Sequence, residues 1–216
     1  MNDFYTIGKN LTDKVEHHRY DRFYPTFLEP LRSQKFNMLE IGVDDGGSLK
    51  LWEKYFPHAS IYGADINKEW QNKRCKVYKC DQSKTEDLKK MVKLLPSCKF
   101  IIDDGSHHPE HQLITFLEMF ENTLEDGGIY IIEDVECNYW HPNSAVYGYT
   151  IGHFSMMDYL KKIADQVNGE FNNYKNGLKV STITFAHNCV IITKKSEEEA
   201  IFTKRKYRYQ SSVDGI

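Results

Sequence analysis

The 216-residue chain is long enough for one domain with a single sizeable core; 40% of it is hydrophobic and 13% aromatic, with 14 Tyr and 12 Phe. A formal net charge of -3 leaves no electrostatic footprint for nucleic acid or an anionic membrane. No apolar run reaches the roughly 18 residues that a spanning helix needs. The segment Met1-Asn2-Asp3-Phe4-Tyr5-Thr6 has no basic stretch followed by an apolar one, so no secretory signal is expected. Cys75, Cys80, Cys98, Cys137 and Cys189 are odd in number and lack C-x-x-C spacing. They are expected to be reduced structural thiols of a cytoplasmic protein rather than a zinc site.

In chain order, residues 1–35 place apolar side chains at helical spacing, around His17-His18-Arg19-Tyr20 and Phe23-Tyr24-Pro25-Thr26-Phe27-Leu28. They are expected to form an N-terminal helical lid segment. Residues 36–196 then alternate strand and helix. The first strand, Phe36–Gly42, runs into a glycine-bearing turn, and a helix follows from Ser48, read as its N-cap, to Phe56 before Pro57. Further strands are expected at Ser60–Ile66, Cys75–Asp81, Cys98–Asp103 and Ile129–Glu133, with helices near Glu86–Leu95 and Pro109–Leu124. Residues 136–151 show no period and read as a long loop. A helix near Phe154–Val167 precedes two closing strands, Val180–Ala186 and Cys189–Thr193, joined at His187-Asn188. The expected fold is α/β and Rossmann-like: a doubly wound, mostly parallel seven-stranded sheet with an antiparallel C-terminal strand. Residues 197–216, with Lys204-Arg205-Lys206, read as a solvated tail.

The ends of the strands carry the chemistry. Glu40-Ile41-Gly42-Val43-Asp44-Asp45-Gly46-Gly47-Ser48 has the strand–turn–helix layout of a nucleotide-type loop, in which Gly42 and Gly46 permit a sharp turn and close approach of a ligand. The glycine spacing is not that of G-x-G-x-x-G, and the Lys-Ser/Thr of a P-loop is missing. Glu40 and the carboxylates inside the loop would repel pyrophosphate and suit a cation. Asp65 ends the next strand where a ribose diol would be met, and Asp81-Gln82 ends the third where an adenine amino group would be met. Each could instead cap a turn or start a helix.

Two acidic signatures follow, Ile101-Ile102-Asp103-Asp104-Gly105-Ser106-His107-His108 and Tyr130-Ile131-Ile132-Glu133-Asp134-Val135. Neighbouring strands lie about 4.8 Å apart, so acids at their ends can share an ion; the alternative is exposed strand-end caps. Regular strand geometry would send Glu133 and Asp134 to opposite faces, so either the backbone turns there or only one of them is a direct ligand. His108 and His111 read as surface residues of a helix start. His17 and His18 are grouped with Lys14 in the N-terminal segment.

Taken together, Thr12-Asp13-Lys14 with His17-His18-Arg19-Tyr20, the Glu40 loop, Asp65, Asp81-Gln82-Ser83, Asp104-Gly105-Ser106-His107 and Ile132-Glu133-Asp134 resemble the class I S-adenosylmethionine-dependent methyltransferases. Within them they most resemble the metal-dependent macrolide sugar O-methyltransferases of the mycinamicin and tylosin type, over about residues 11 to 195. The resemblance implies S-adenosylmethionine bound around Glu40, Gly42, Gly46, Ser48, Asp65, Asp81, Gln82 and Asp103. It implies Mg²⁺ (or Mn²⁺) on Asp104, Glu133 and Asp134, a set of oxygen donors that suits a hard cation. His107 is the expected general base. The expected acceptor is a hydroxyl of a sugar or nucleotide sugar; Trp140, Tyr147 and Tyr149 could stack on its ring, the alternative being that they are packing residues of the loop. A non-sugar hydroxyl and an inactive cofactor-binding module are the alternatives, and a nicotinamide oxidoreductase is disfavoured by the glycine spacing. A homo-oligomer is compatible with the aromatic N-terminal segment.

Overall fold

The computed structural model describes residues 3–168 and 177–199. The expected tail is therefore described only to residue 199, and Lys204-Arg205-Lys206 lies outside the described residues. The helices are α1 Asp3–Gly8, α2 Asp13–Glu16, α3 Tyr24–Leu28, α4 Gly47–Tyr55, α5 Thr85–Leu94, α6 Pro109–Asn122 and α7 Met156–Ile163. The strands are β1 Asn37–Ile41, β2 Ser60–Asp65, β3 Trp70–Gln71, β4 Cys75–Lys79, β5 Cys98–Asp103, β6 Leu124–Glu133, β7 Ala145–Val146, β8 Tyr149–Thr150, β9 Val180–Ala186 and β10 Cys189–Lys194. The main sheet runs β3-β4-β2-β1-β5-β6-β10-β9. Its centre is parallel, and β10 enters antiparallel to β6, as expected.

Four local features differ from the expectation. The sheet has eight strands rather than seven, because Trp70–Gln71 pairs antiparallel with β4 as an extra edge. Both residues are exposed, so no apolar alternation betrays them. Helix α4 is capped by Gly46 in the left-handed region, not by Ser48, which sits in the first turn with its hydroxyl donating to Glu40 Oε2 at 2.8 Å. Strand β6 begins at Leu124 instead of Ile129, absorbing Gly127-Gly128 with a register shift against β5. The expected loop 136–151 contains the end of a 3-10 turn, Val135–Tyr139, and the hairpin β7–β8. That hairpin turns through Tyr147 (φ 47°) and Gly148 (φ 84°), the positive-φ pair that a tight two-residue turn requires.

Period-two alternation sorts the strands onto two cores. Met38, Phe100, Ile102, Ile129 and Ile131 face a core shared with Phe4, Val15, Tyr20, Tyr24, Leu28 and Trp52. Leu39, Ile41, Ile101, Tyr130 and Ile132 face α5, α6 and α7. The N-terminal segment is thus wedged into the first core. Each of its fully buried Phe, Tyr and Leu side chains contributes about 1.5–3 kcal/mol by burial. All five cysteines are buried and unpaired. Among the described residues no helix is long and apolar enough to cross a membrane.

The same alternation decides where the strand-end acids point. Glu40 lies on the Met38 face of β1, and Glu133 on the Ile131 face of β6, so both turn toward the N-terminal segment. Asp103 pairs in register with Ile41 and Ile132 and turns to the opposite face. Asp104, one residue later, comes back to the first.

The close approach of two strand ends makes one glycine indispensable. Gly42 has φ 85°, and a Cβ there would fall on the Asp104 carbonyl. Gly46 has φ 80° with nothing within 4 Å of the same position. Gly42→Ala is expected to lose at least about 2 kcal/mol, strain and clash combined, whereas Gly46→Ala loses only about 1 kcal/mol. Urea unfolding measures both; equal losses would contradict this packing.

Candidate active site

The strand ends meet at one point on the carboxyl edge of the sheet, where ligands gather in open α/β folds. Asp104, His107 and Asp134 each offer a ligand atom, all within 4.8 Å of one another. Two backbone departures make this convergence. Asp134 leaves β6 in the left-handed region (φ 52°, ψ 49°), so it does not continue to the face opposite Glu133 as a regular strand residue would. His107 also has positive φ, 56°, which turns the chain back over the strand end before α6. Its Nε2 lies 3.5 Å from Asp134 Oδ2, and its Nδ1 is buried without a partner among the described residues.

Glu133 is placed differently from its expected metal-binding companions. It is 1% exposed and accepts from two donors: Lys14 Nζ at 2.5 Å on Oε2, and the Tyr24 hydroxyl on Oε1. Lys14 Nζ also bonds Asp104 Oδ2 and lies 3.5 Å from Glu40 Oε1. Burial works against the ammonium, but Asp104, Glu133 and Glu40 outweigh it and hold the lysine's pKa well above its ordinary value. Burial is also the largest influence on Glu133 and pushes its carboxyl up, against the Lys14 charge. A donor on each oxygen fits the ionised carboxylate, and an ion pair is what a buried ammonium requires.

Asp134 is held just as firmly. Its Oδ1 accepts from Tyr20 Oη and Asn188 Nδ2, both at 2.8 Å, and His18 Nδ1 lies 3.4 Å away. Burial and then Asp104 raise its pKa, with His107 and His18 opposing. These holdings leave Asp134 Oδ2, 3.5 Å from His107 Nε2, and Asp104 Oδ1 with no hydrogen bond from the described residues. Carboxylate oxygens with no thiolate form a donor set that fits a hard divalent ion such as Mg²⁺ or Mn²⁺, with the His107 imidazole beside them.

The expected cofactor residues form the adjoining wall. Asp65 Oδ2 accepts the N–H groups of Val43 and Asp44, each at 3.2 Å, and Oδ1 those of Asn67 and Lys68 at 2.8 and 3.0 Å. It therefore fixes the glycine loop to the end of β2. Glu40 is fully buried; Ser48 Oγ and the Trp52 indole donate to it at 2.8 and 3.2 Å, and burial raises it to about 7 against the Lys14 charge. Gln82 is a staple: its Nε2 donates to Asp103 Oδ1 at 2.8 Å and Thr115 Oγ1 at 3.1 Å, while its Oε1 accepts Ser106 N at 2.6 Å. Asp81 accepts from the Ser83 hydroxyl at 2.6 Å and pairs with Lys84 at 2.8 Å. The outer side of Gly46 is open.

Several residues to which the sequence reading assigned no role in the site hold it together. Lys14, Tyr20, Tyr24 and Asn188 supply its internal donors. The spacing of Tyr20 and Tyr24 on one face of the N-terminal segment, after Thr12-Asp13-Lys14, was the available signal. His108 is not a surface residue: it is 4% exposed, and its Nε2 lies 3.0 Å from the Thr150 carbonyl. His111 packs edge-on against Tyr149, with ring centroids 4.5 Å apart. Together they anchor the β7–β8 hairpin, whose tip places Tyr147 5.3 Å from the His107 ring, with 72% of the tyrosine exposed.

Comparison with known proteins bears out the resemblance read from the sequence: the chain's curated homologues are sugar O-methyltransferases. It is 33% identical over 138 residues to the 8-demethyl-8-alpha-L-rhamnosyl tetracenomycin-C 2'-O-methyltransferase of Streptomyces olivaceus, covering 60% of this chain and 36% of that protein. It is 33% identical over 132 residues to the mycinamicin VI 2''-O-methyltransferase of Micromonospora griseorubida, covering 57% and 33% respectively. The chain thus spans about a third of the length of these relatives. The fold matches the mycinamicin-pathway methyltransferase MycE, solved in complex with Mg and SAH, with a TM-score of 0.79 and 25% identity over 90% of this chain and 54% of that one. No protein-family model matches the chain.

Asp103 offers a test of the site's electrostatics. It is fully buried, and desolvation raises its pKa to about 7, with Gln82 and the Gly105 N–H opposing. The folded protein therefore binds this proton more tightly than the unfolded chain. The resulting stability is complete below the unfolded pKa and is lost as pH rises through about 7. Between about pH 4 and about pH 8, Asp103→Asn should lose up to about 4 kcal/mol less stability than the parent. Urea denaturation across that range measures the difference; parallel curves would refute it.

Proposed function

We propose that this chain is an S-adenosylmethionine-dependent, divalent-metal-dependent O-methyltransferase acting on a hydroxyl of a sugar or sugar-bearing small molecule. The observation that carries this reading is the convergence of Asp104, His107 and Asp134 beside the glycine loop, on a fold shared with MycE. The Mg and SAH of the MycE structure match the two ligands expected here; SAH is what remains when S-adenosylmethionine gives up its methyl group.

The loop Gly42–Ser48, held by Asp65, is the surface on which the methyl donor lies, with Asp81 at the rim; Glu40, Gln82 and Asp103 shape it from within. Asp104 and Asp134, with Glu133 beside them, would hold the ion. A divalent ion, when bound, lowers the pKa of a hydroxyl and fixes its position. His107, beside Asp134 and 13% exposed at its side chain, is the group that takes the hydroxyl proton as the oxygen attacks the methyl carbon. Asp134 steadies the imidazole that has gained this charge. Tyr147 stands exposed over His107, where an aromatic face can stack on a sugar ring. Carboxylates lining the edge disfavour phosphate-rich acceptors such as nucleic acid.

Calorimetric titration is the first test: S-adenosylmethionine should bind, and NAD should not. With a sugar acceptor that supports methyl transfer from labelled S-adenosylmethionine, His107→Ala should lower turnover by about 10²–10⁴-fold while leaving the affinity for S-adenosylmethionine unchanged. Binding of NAD instead, or an equal loss of donor binding and turnover in His107→Ala, would overturn the assignment.

A further inference from the structure

The β7–β8 hairpin carries two aromatic rings with different neighbours. Tyr147, at the turn, stands 5.3 Å from the His107 ring. Tyr149, in β8, is half-buried, and the His111 ring stands edge-on to it at 4.5 Å and 89°. His111 is itself held from behind. Its Nδ1 lies 2.8 Å from Ser106 Oγ, which accepts the His108 N–H at 3.4 Å, and its ring lies 4.4 Å from that of His108. Burial and then His108 lower the His111 pKa to about 4, with Asp81 opposing, so the ring stays uncharged around neutral pH.

These contacts put Tyr149 on the donor side of the site. Ser106 N donates to Gln82 Oε1 at 2.6 Å, so the loop that seats His111 is stapled to the end of β4. Asp81 stands next to Gln82 and bears on His111. Its partner Lys84, 2.8 Å away, has its pKa raised by Asp81 and, more weakly, by Asp87 and the Tyr149 hydroxyl. Tyr149, His111 and the Asp81–Lys84 pair therefore share one rim, at the strand end where the adenine of the methyl donor is expected. An adenine offers a polar edge and two flat faces. Asp81 suits the amino group on the edge, and a rigidly held aromatic ring suits a face.

We propose that Tyr149 binds the donor by packing its ring on the adenine of S-adenosylmethionine, and that His111 is the positioning residue that holds this ring in place. The proposal rests on the methyltransferase reading above. It divides the hairpin between the two substrates: Tyr149 meets the donor, and Tyr147 meets the acceptor. Because both rings hang on one two-residue turn, a donor that orders Tyr149 also steadies Tyr147 over His107.

The test is calorimetric titration of the full chain with S-adenosylhomocysteine, together with amide hydrogen exchange over residues 145–151 with and without that ligand. Tyr149→Ala should weaken the affinity about tenfold, the loss expected when a base is deprived of its aromatic partner. Tyr149→Phe, which keeps the ring, should stay within about threefold of the parent. His111→Ala should weaken binding to a similar extent as Tyr149→Ala, and the double variant should lose little more than either single one, as a residue that acts through another requires. In the parent, the ligand should slow exchange across the hairpin. A ring that only packs the hairpin would lower the melting temperature on removal and leave the affinity within about threefold of the parent, and that result overturns the proposal. An equal loss of affinity in Tyr147→Ala would place the effect in the hairpin as a whole and overturn the assignment of Tyr149. If the Tyr149 and His111 variants fail to fold, exchange in the parent decides: hairpin amides that do not respond to the ligand overturn the proposal as well. A parent that binds no S-adenosylhomocysteine would instead bring down the methyltransferase reading, and this proposal with it.

Discussion

A single ammonium group sets the terms on which the rest of this structure holds together. Lys14 lies buried against Asp104 and Glu133, near Glu40, and these acids come from the ends of β1, β5 and β6, the three central strands of the sheet. Without a counter-charge, carboxylates this close and this dry would repel and draw in water. Supplying the charge from the N-terminal segment ties that segment to the carboxyl edge of the sheet. Tyr20 and Tyr24 reinforce the tie, because each spends its buried hydroxyl on an acid of β6 or of the turn after it. The hydrophobic docking of Phe4, Tyr20, Tyr24 and Leu28 and the electrostatic closure of the site are therefore one event.

Placement of the acids follows from the pleat of the strands. Alternation sends Glu40, Asp104 and Glu133 to one side and Asp103 to the other, so adjacent aspartates have opposite fates. Asp104 joins the charged cluster, while Asp103 is sealed away, its Oδ1 accepting from Gln82 Nε2 and the Gly105 N–H and its Oδ2 without a partner among the described residues. Asp134 would have followed Asp103 to the far face had β6 continued. Its left-handed conformation, costly for a residue with a Cβ, returns it to the His107 side. Asn188, also at positive φ, closes the neighbouring turn and donates to Asp134 at 2.8 Å. Strain at these positions is spent on bringing ligand atoms together.

Much of this was readable before any coordinates. The parallel strands announce themselves as short apolar runs, each ending in an acid, and the resemblance singled out Asp104, His107 and Asp134, which converge. What the sequence hid were facts of pairing. Asp65, Asp81 and Gln82 each find partners within the protein, so their type alone did not reveal that Asp65 clamps the glycine loop and Gln82 bridges Asp103 to Ser106. Lys14 stands between Asp13 and Glu16 in sequence, and only the long-range fold shows that it points inward while they point outward. His108 begins a helix, an exposed position in general, but the β7–β8 hairpin folds over it. The edge strand Trp70–Gln71 is set by pairing alone and leaves no apolar trace.

The hairpin also bears on how one edge can combine fixed chemistry with a chosen acceptor. Glycine loop, acids and His107 all stand on strand ends, among the most rigid places in the fold. Tyr147 instead stands at the tip of a two-residue turn that forces a bulky side chain to φ 47°, a conformation that most residues avoid. The turn is held there by His108 on the Thr150 carbonyl and by His111 against Tyr149, two histidines that flank the first turn of α6 immediately after His107. A shift of His107 would thus carry the hairpin with it, because both hang from the same helix start. The aromatic face over the site and the imidazole of His107 beneath it are positioned by one element, so under the proposed function a ring resting on Tyr147 would meet His107 at a separation set by the scaffold rather than by the loop.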